Sequence, residues 1–136
     1  MKKSIVFVFT VFILICLSAC SILGIGRGET YCGKWKTQSS AGENIDLVFE
    51  ENTGKLGDKE FHYVLDKSGY EDNTKYYSIT VNDTYHYTIA FPDNDLKIAV
   101  LLEPDDPRDP LYGEMLYAMN RQKYPDFQKY IDNYLN

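Results

Sequence analysis

Tyr77-Ser78-Ile79-Thr80-Val81-Asn82-Asp83-Thr84-Tyr85-His86-Tyr87-Thr88-Ile89-Ala90-Phe91 is the stretch that decides the fold class. Tyr77, Ile79 and Val81 share one parity, while Ser78 and Thr80 take the other, as a half-buried strand requires. Tyr85, Tyr87, Ile89 and Phe91 repeat the scheme. Between them, Asn82 and Asp83 both tolerate positive φ, which a two-residue hairpin turn demands of its central residues. The stretch therefore predicts an antiparallel hairpin with one buried face. His86, of opposite parity to Tyr85 and Tyr87, is expected to point outward.

The same alternation extends in both directions. Ile45, Leu47 and Phe49 form one apolar row upstream, and Leu96, Ile98, Val100 and Leu102 form another downstream. Pro92-Asp93-Asn94-Asp95 reads as a tight reversal, and Asn52-Thr53-Gly54 and Lys67-Ser68-Gly69 read as turns. Seven strands are predicted, at about 31–37, 44–51, 60–66, 74–81, 84–91, 95–102 and 111–121. Parallel pairs need long crossovers, so connections this short predict antiparallel neighbours. Serial antiparallel strands with one buried face most simply curl into an up-and-down β-barrel. The tail then changes period: Tyr124, Phe127, Tyr130, Ile131, Tyr134 and Leu135 recur at three- and four-residue intervals. That spacing predicts an amphipathic helix at about 124–135, with Pro125 in its first turn and Asp126 at its positive end. Its apolar stripe needs the barrel's outer wall or one open end to cover. The expected class is mainly all-β, a small barrel domain at 31–136 with a C-terminal α-helix packed on it.

Composition agrees. The 136 residues suffice for one domain, and 44% hydrophobic with 25% charged residues suits a globular chain. Twelve tyrosines and seven phenylalanines favour strands over a helical bundle. A net charge of −6 speaks against binding to a nucleic-acid backbone.

Met1-Lys2-Lys3 followed by the apolar run from Ile5 to Leu17 reads as a secretory signal peptide at 1–19. An uncleaved transmembrane helix competes, since no charge intervenes between Lys3 and Arg27. Leu17-Ser18-Ala19-Cys20 resembles the lipobox of bacterial lipoproteins. The resemblance implies that Cys20 carries a diacylglyceryl group on sulfur and becomes the first residue of the mature chain. Two acyl chains anchor stably where one does not, placing the protein on the extracytoplasmic face of the cell membrane. Residues 20–30, with three glycines, then form a lipidated tether. Loss of Lys2 and Lys3 takes the charge from −6 to −8. Cys32 alone remains beyond the lipidated position, so no intramolecular disulfide forms and the core must stabilise the fold by itself.

Gly33-Lys34-Trp35 opens the first strand, and Arg121 closes the last one before the helix. That arrangement resembles the lipocalins, whose first strand carries a G-x-W signature. The resemblance implies that Gly33 lets the backbone bend, that Trp35 plugs the closed end of the barrel, and that Arg121 packs across its indole with cation–π energy. Lipocalins have eight main strands in a longer chain, so a shortened, slim barrel is implied.

Phe49, Tyr77, Tyr85, Tyr87, Phe91 and Leu96 are the candidate ligand-binding residues: facing inward, they would line an aromatic pocket for a small hydrophobic or amphipathic molecule. Filling the interior of a narrow barrel is the competing role. His62 and His86 have no close-spaced partner for a metal, and no metal or other cofactor is expected. Glu103 to Pro110 is the longest acidic loop; it lacks the ligand spacing of an EF-hand, and three prolines stiffen it into a rigid feature of the barrel mouth. No G-x-S-x-G or H-E-x-x-H motif is present, so catalysis is not expected; a Cys32-dependent enzyme would need a histidine within reach in space. Non-catalytic ligand binding is the expected function. The rival is a filled barrel acting as an envelope-assembly partner or hydrolase inhibitor, whose acidic surface suits a cationic protein partner.

Overall fold

The computed structural model describes residues 30–135. The expected signal peptide at 1–19, the expected lipidation site Cys20, and the expected tether up to residue 29 lie outside the described residues. Eight strands form one closed, wholly antiparallel barrel in sequence order. They are β1 (Gly33–Ser39), β2 (Asn44–Phe49), β3 (Thr53–Leu56), β4 (Lys59–Glu71), β5 (Thr74–Val81), β6 (Tyr85–Phe91), β7 (Ile98–Pro104) and β8 (Gly113–Asn120). Closure comes from β1 on β8, with Lys36 opposite Asn120 and Ser39 opposite Tyr117. A closed barrel leaves no strand edge exposed.

The hairpin at residues 74–91 is as the alternation predicts, with Val81 opposite Tyr85 and Lys75 opposite Phe91. Asn82 and Asp83 take φ of 51° and 63°. Three expectations need correction upstream. The barrel has eight strands, because Thr53 and Gly54 belong to a strand of four residues rather than a turn. Gly54 is interior, and a Cβ there would lie 2.3 Å from the Phe61 ring that covers it. Lys67-Ser68-Gly69 is also strand: β4 runs on past an irregularity between Leu65 and Lys67 and reverses at Asp72-Asn73, whose φ values are 52° and 67°.

The C-terminal helix starts later than its periodicity predicts. Asp126 is its N-cap, accepting from Lys129 N at 3.1 Å, which leaves Tyr124 and Pro125 outside. One α-helical turn, α1 (Phe127–Tyr130), passes directly into a π-helical turn at Ile131–Leu135. It covers the outer wall, where Tyr130 joins Ala90, Val100, Leu102, Met115 and Ala118 in a second buried cluster. This explains β7, buried at Ala99, Val100, Leu101 and Leu102 alike. Ala99 and Leu101 face the barrel interior, whereas Val100 and Leu102 face the helix. The apolar row of Ile98, Val100 and Leu102 is thus on the outer face.

Two threonines are fully buried, with different consequences. Thr37 donates its hydroxyl to Ile45 O at 2.7 Å, while the Thr88 hydroxyl meets no partner among the described residues. A buried hydroxyl without a hydrogen bond is destabilising, and valine keeps the shape and β-branching. Thr88→Val is expected to raise stability by about 1 kcal/mol in denaturant unfolding; Thr37→Val is expected to lower it.

Candidate functional site

The barrel has two unlike ends. The chain enters at Thr30 beside the turns after β2 and β4, and Arg121 leaves β8 at the same end. Here the interior is solid. Tyr31 crosses the opening with its ring 5.4 Å from Phe49, 6.1 Å from Tyr63 and 4.9 Å from Tyr77, all edge-on. Such edge-to-face packing is the favoured aromatic geometry. Trp35 lies below, only 1% exposed, tilted against Phe91 and donating Nε1–H to Tyr31 O at 2.8 Å. The Tyr63 hydroxyl donates to Glu50 O, closing the layer.

Arg121 locks this end. Its guanidinium sits 3.8 Å from the centre of the Trp35 ring and donates to three carbonyls, Thr30 O at 2.6 Å, Cys32 O at 2.9 Å and Lys34 O at 2.9 Å. Burial lowers its pKa from the ordinary arginine value, with the Cys32 sulfur opposing that shift. Gly33, at φ +104°, carries the backbone under the guanidinium; a Cβ there would meet Arg121 Nη1 at 3.1 Å. The three residues named from the G-x-W pattern thus meet in space.

The opposite end, at the turns after β1, β3, β5 and β7, is open. A cup of about 320 Å³ descends into the barrel there. Leu47, Phe49, Leu56 and Phe61 line one side, and Ile79, Val81, Tyr87, Leu101 and Tyr117 the other. Lys59, Glu60 and Asn82 stand around it as well. Burial, then the Glu103 carboxylate and the neighbouring Tyr85 and Tyr117, raise the Tyr87 pKa, keeping that hydroxyl protonated as a donor.

The six candidate ligand residues divide accordingly. Phe49 and Tyr87 line the cup. Tyr77 and Phe91 are inward but belong to the solid end, packed edge-on with ring centres 6.1 Å apart. Tyr85 has the inward parity yet lies beyond the rim, 53% exposed. Leu96 is 52% exposed in the turn before β7, because that strand begins only at Ile98. Eight further apolar residues of the lining, Phe61 and Leu101 among them, were not among the ligand candidates named from sequence. For Leu56, Phe61, Ile79 and Val81 the signal was inward parity combined with closeness to the turns at Gly57-Asp58 and Asn82-Asp83.

Other features lie outside the cup, the first of them adjoining it at Glu60, Phe61 and Asn82. A depression of about 410 Å³ on the outer face of β2, β3 and β4 is lined by Glu50, Lys55, Glu60 and His62 and is the more polar of the two. We take the cup as the candidate site because it is apolar and lies within the barrel. His62 pairs with Asp83 at 3.3 Å, and His86 with the Thr80 hydroxyl at 3.1 Å, both outward. Cys32 is half-buried at the solid end next to Arg121. Among the described residues, no three His, Cys, Asp or Glu side chains are grouped as metal ligands. The proline-rich acidic loop stands at the open end, folded on itself: Asp106 accepts from Arg108 Nη2 at 2.8 Å, and Asp105 N donates to Tyr112 O at 3.0 Å.

No protein family, no curated protein and no solved structure matches this chain.

Proposed function

We propose that this chain is a lipoprotein, anchored through lipidated Cys20 on the extracytoplasmic face of the membrane, whose lipocalin-like barrel binds a small hydrophobic or amphipathic molecule without transforming it. The observation that carries the binding reading is the apolar cup of about 320 Å³, within the range of about 300–1,000 Å³ usual for small-molecule sites. At about 30 Å³ per water-sized group, it has room for roughly ten such groups, a short chain or one ring system. The anchor reading rests on the sequence Leu17-Ser18-Ala19-Cys20 directly after an apolar run. Thr30 meets the barrel at the solid end, so a tether there would leave the mouth of the cup unobstructed. Among the described residues, no helix is long and apolar enough to cross a membrane.

The interaction-module reading retains one supporting observation. Asp105 and Asp109 flank the Asp106–Arg108 pair on a loop pinned by its own hydrogen bonds, a stiff acidic edge that suits a cationic protein surface.

Both halves of the proposal are tested on one preparation. Cys20→Ser is expected to shift the protein from the membrane to the soluble fraction; unchanged membrane retention would refute the anchor. Mass spectrometry of organic extracts is expected to find a small amphipathic molecule with the wild-type protein that is depleted from Val81→Phe, which narrows the mouth. Identical extracts from the two proteins would refute the ligand cup and favour the interaction module.

A further inference from the structure

We propose that the cup selects a cationic amphiphile, an apolar tail seated among Leu47, Leu56, Ile79 and Leu101 with an ammonium-type head held at the rim. The inference rests on the cup being a ligand site and adds the chemistry of the occupant.

The rim carries the argument. Thr88 pairs with Leu102 across β6 and β7, which places the next residues of the two strands, Tyr87 and Glu103, side by side at the mouth. Glu103 shares the parity of Ala99 and Leu101, so it lies on the inner face of its strand, exposed where the cup opens. Tyr117, opposite Leu101, and Tyr85, at the start of β6, complete an aromatic and carboxylate patch around it. Glu114, directly opposite Glu103 on β8, adds a second carboxylate on the same face. Aromatic faces and carboxylates together favour a cation, because the ring quadrupole and the full charge attract it at once. The turns at this end continue the sign with Asp58, Asp83, Asp105 and Asp109. Arg108 there is already engaged by Asp106. Lys59 is the opposing feature on the rim, and it makes an anionic head, such as a fatty carboxylate, the outcome to be tested against.

The test uses the full chain in phospholipid nanodiscs and three probes with one tail: octyltrimethylammonium, octanol and octanoate. Methyl resonances of Leu47, Leu56, Ile79 and Val81 report occupancy of the cup and ignore partition into lipid. The ammonium probe is expected to bind about fivefold or more tighter than octanol, with octanoate weakest of the three. Glu103→Gln combined with Glu114→Gln is expected to bring the ammonium probe down to the affinity of octanol. Equal affinities, a preference for octanoate, or a preference for ammonium that survives the double substitution would each overturn the head-group inference and leave the cup standing as a site. Methyl resonances unmoved by all three probes would overturn the ligand-cup reading, and this inference with it.

Discussion

Trp35→Ala is expected to destabilise the barrel by about 3–5 kcal/mol, the usual cost of truncating a large buried aromatic. The indole is 1% exposed and touches three features of the solid end at once: the Phe91 ring, the Tyr31 carbonyl and the Arg121 guanidinium. The loss exceeds simple transfer of apolar area, because Tyr31 O loses its donor and the neighbouring rings cannot collapse into the space without disturbing their edge-on packing. The chain has one tryptophan, so the variant is followed by circular dichroism rather than by indole fluorescence. A fall in the denaturant midpoint at unchanged slope is the expected result. A loss below about 1 kcal/mol, the ordinary cost of an average substitution, would mean that this end is not the packed half of the barrel.

The second large effect is expected for Arg121→Ala, about 2–4 kcal/mol. One guanidinium serves three carbonyls from residues 30 to 34 and also covers the indole, so a single substitution loosens the segment that brings the chain into the barrel. Arg121→Lys is expected to recover less than half of the loss, since an ammonium cannot present donors in a fixed planar fork to three separate oxygens. In Arg121→Ala the Trp35 emission is expected to move to longer wavelength as water reaches the indole. A double-mutant cycle of Trp35→Ala with Arg121→Ala is expected to show coupling within the 0.5–3 kcal/mol typical of residues in contact, about 1 kcal/mol or more. Additive effects would mean that the two side chains act independently despite their 3.8 Å approach.

Much of the barrel was legible because period-two alternation and turn chemistry are local. Tyr77 to Phe91 is readable on its own, with both faces and the Asn82-Asp83 reversal encoded within fifteen positions. The missed strand shows the limit of that logic. Thr53 and Gly54 carry turn residues, and Gly54 is in a strand only because the ring of Phe61 on β4 occupies the place of its side chain. Lys67-Ser68-Gly69 misled for a related reason: the irregularity after Leu65 lets β4 continue through residues that look like a turn. On β7 four successive apolar residues have no parity to read, and their division between core and helix depends on where Tyr130 docks.

The candidate site was half legible. Parity showed that Phe49, Tyr77, Tyr87 and Phe91 point inward, which is a property of each strand. It could not show depth, which depends on how eight strands stagger around a common axis and on which end Tyr31 closes.

By itself the amino-acid order determined the antiparallel strands, their apolar faces and most of the reversals, because each depends on backbone preferences within a few residues; Gly33, Trp35 and Arg121 were singled out only by resemblance to the G-x-W pattern. Only the tertiary structure decided that one end is packed solid and the other hollow. That distinction arises from side chains far apart in the chain competing for the same volume, and it exists only once the barrel has closed.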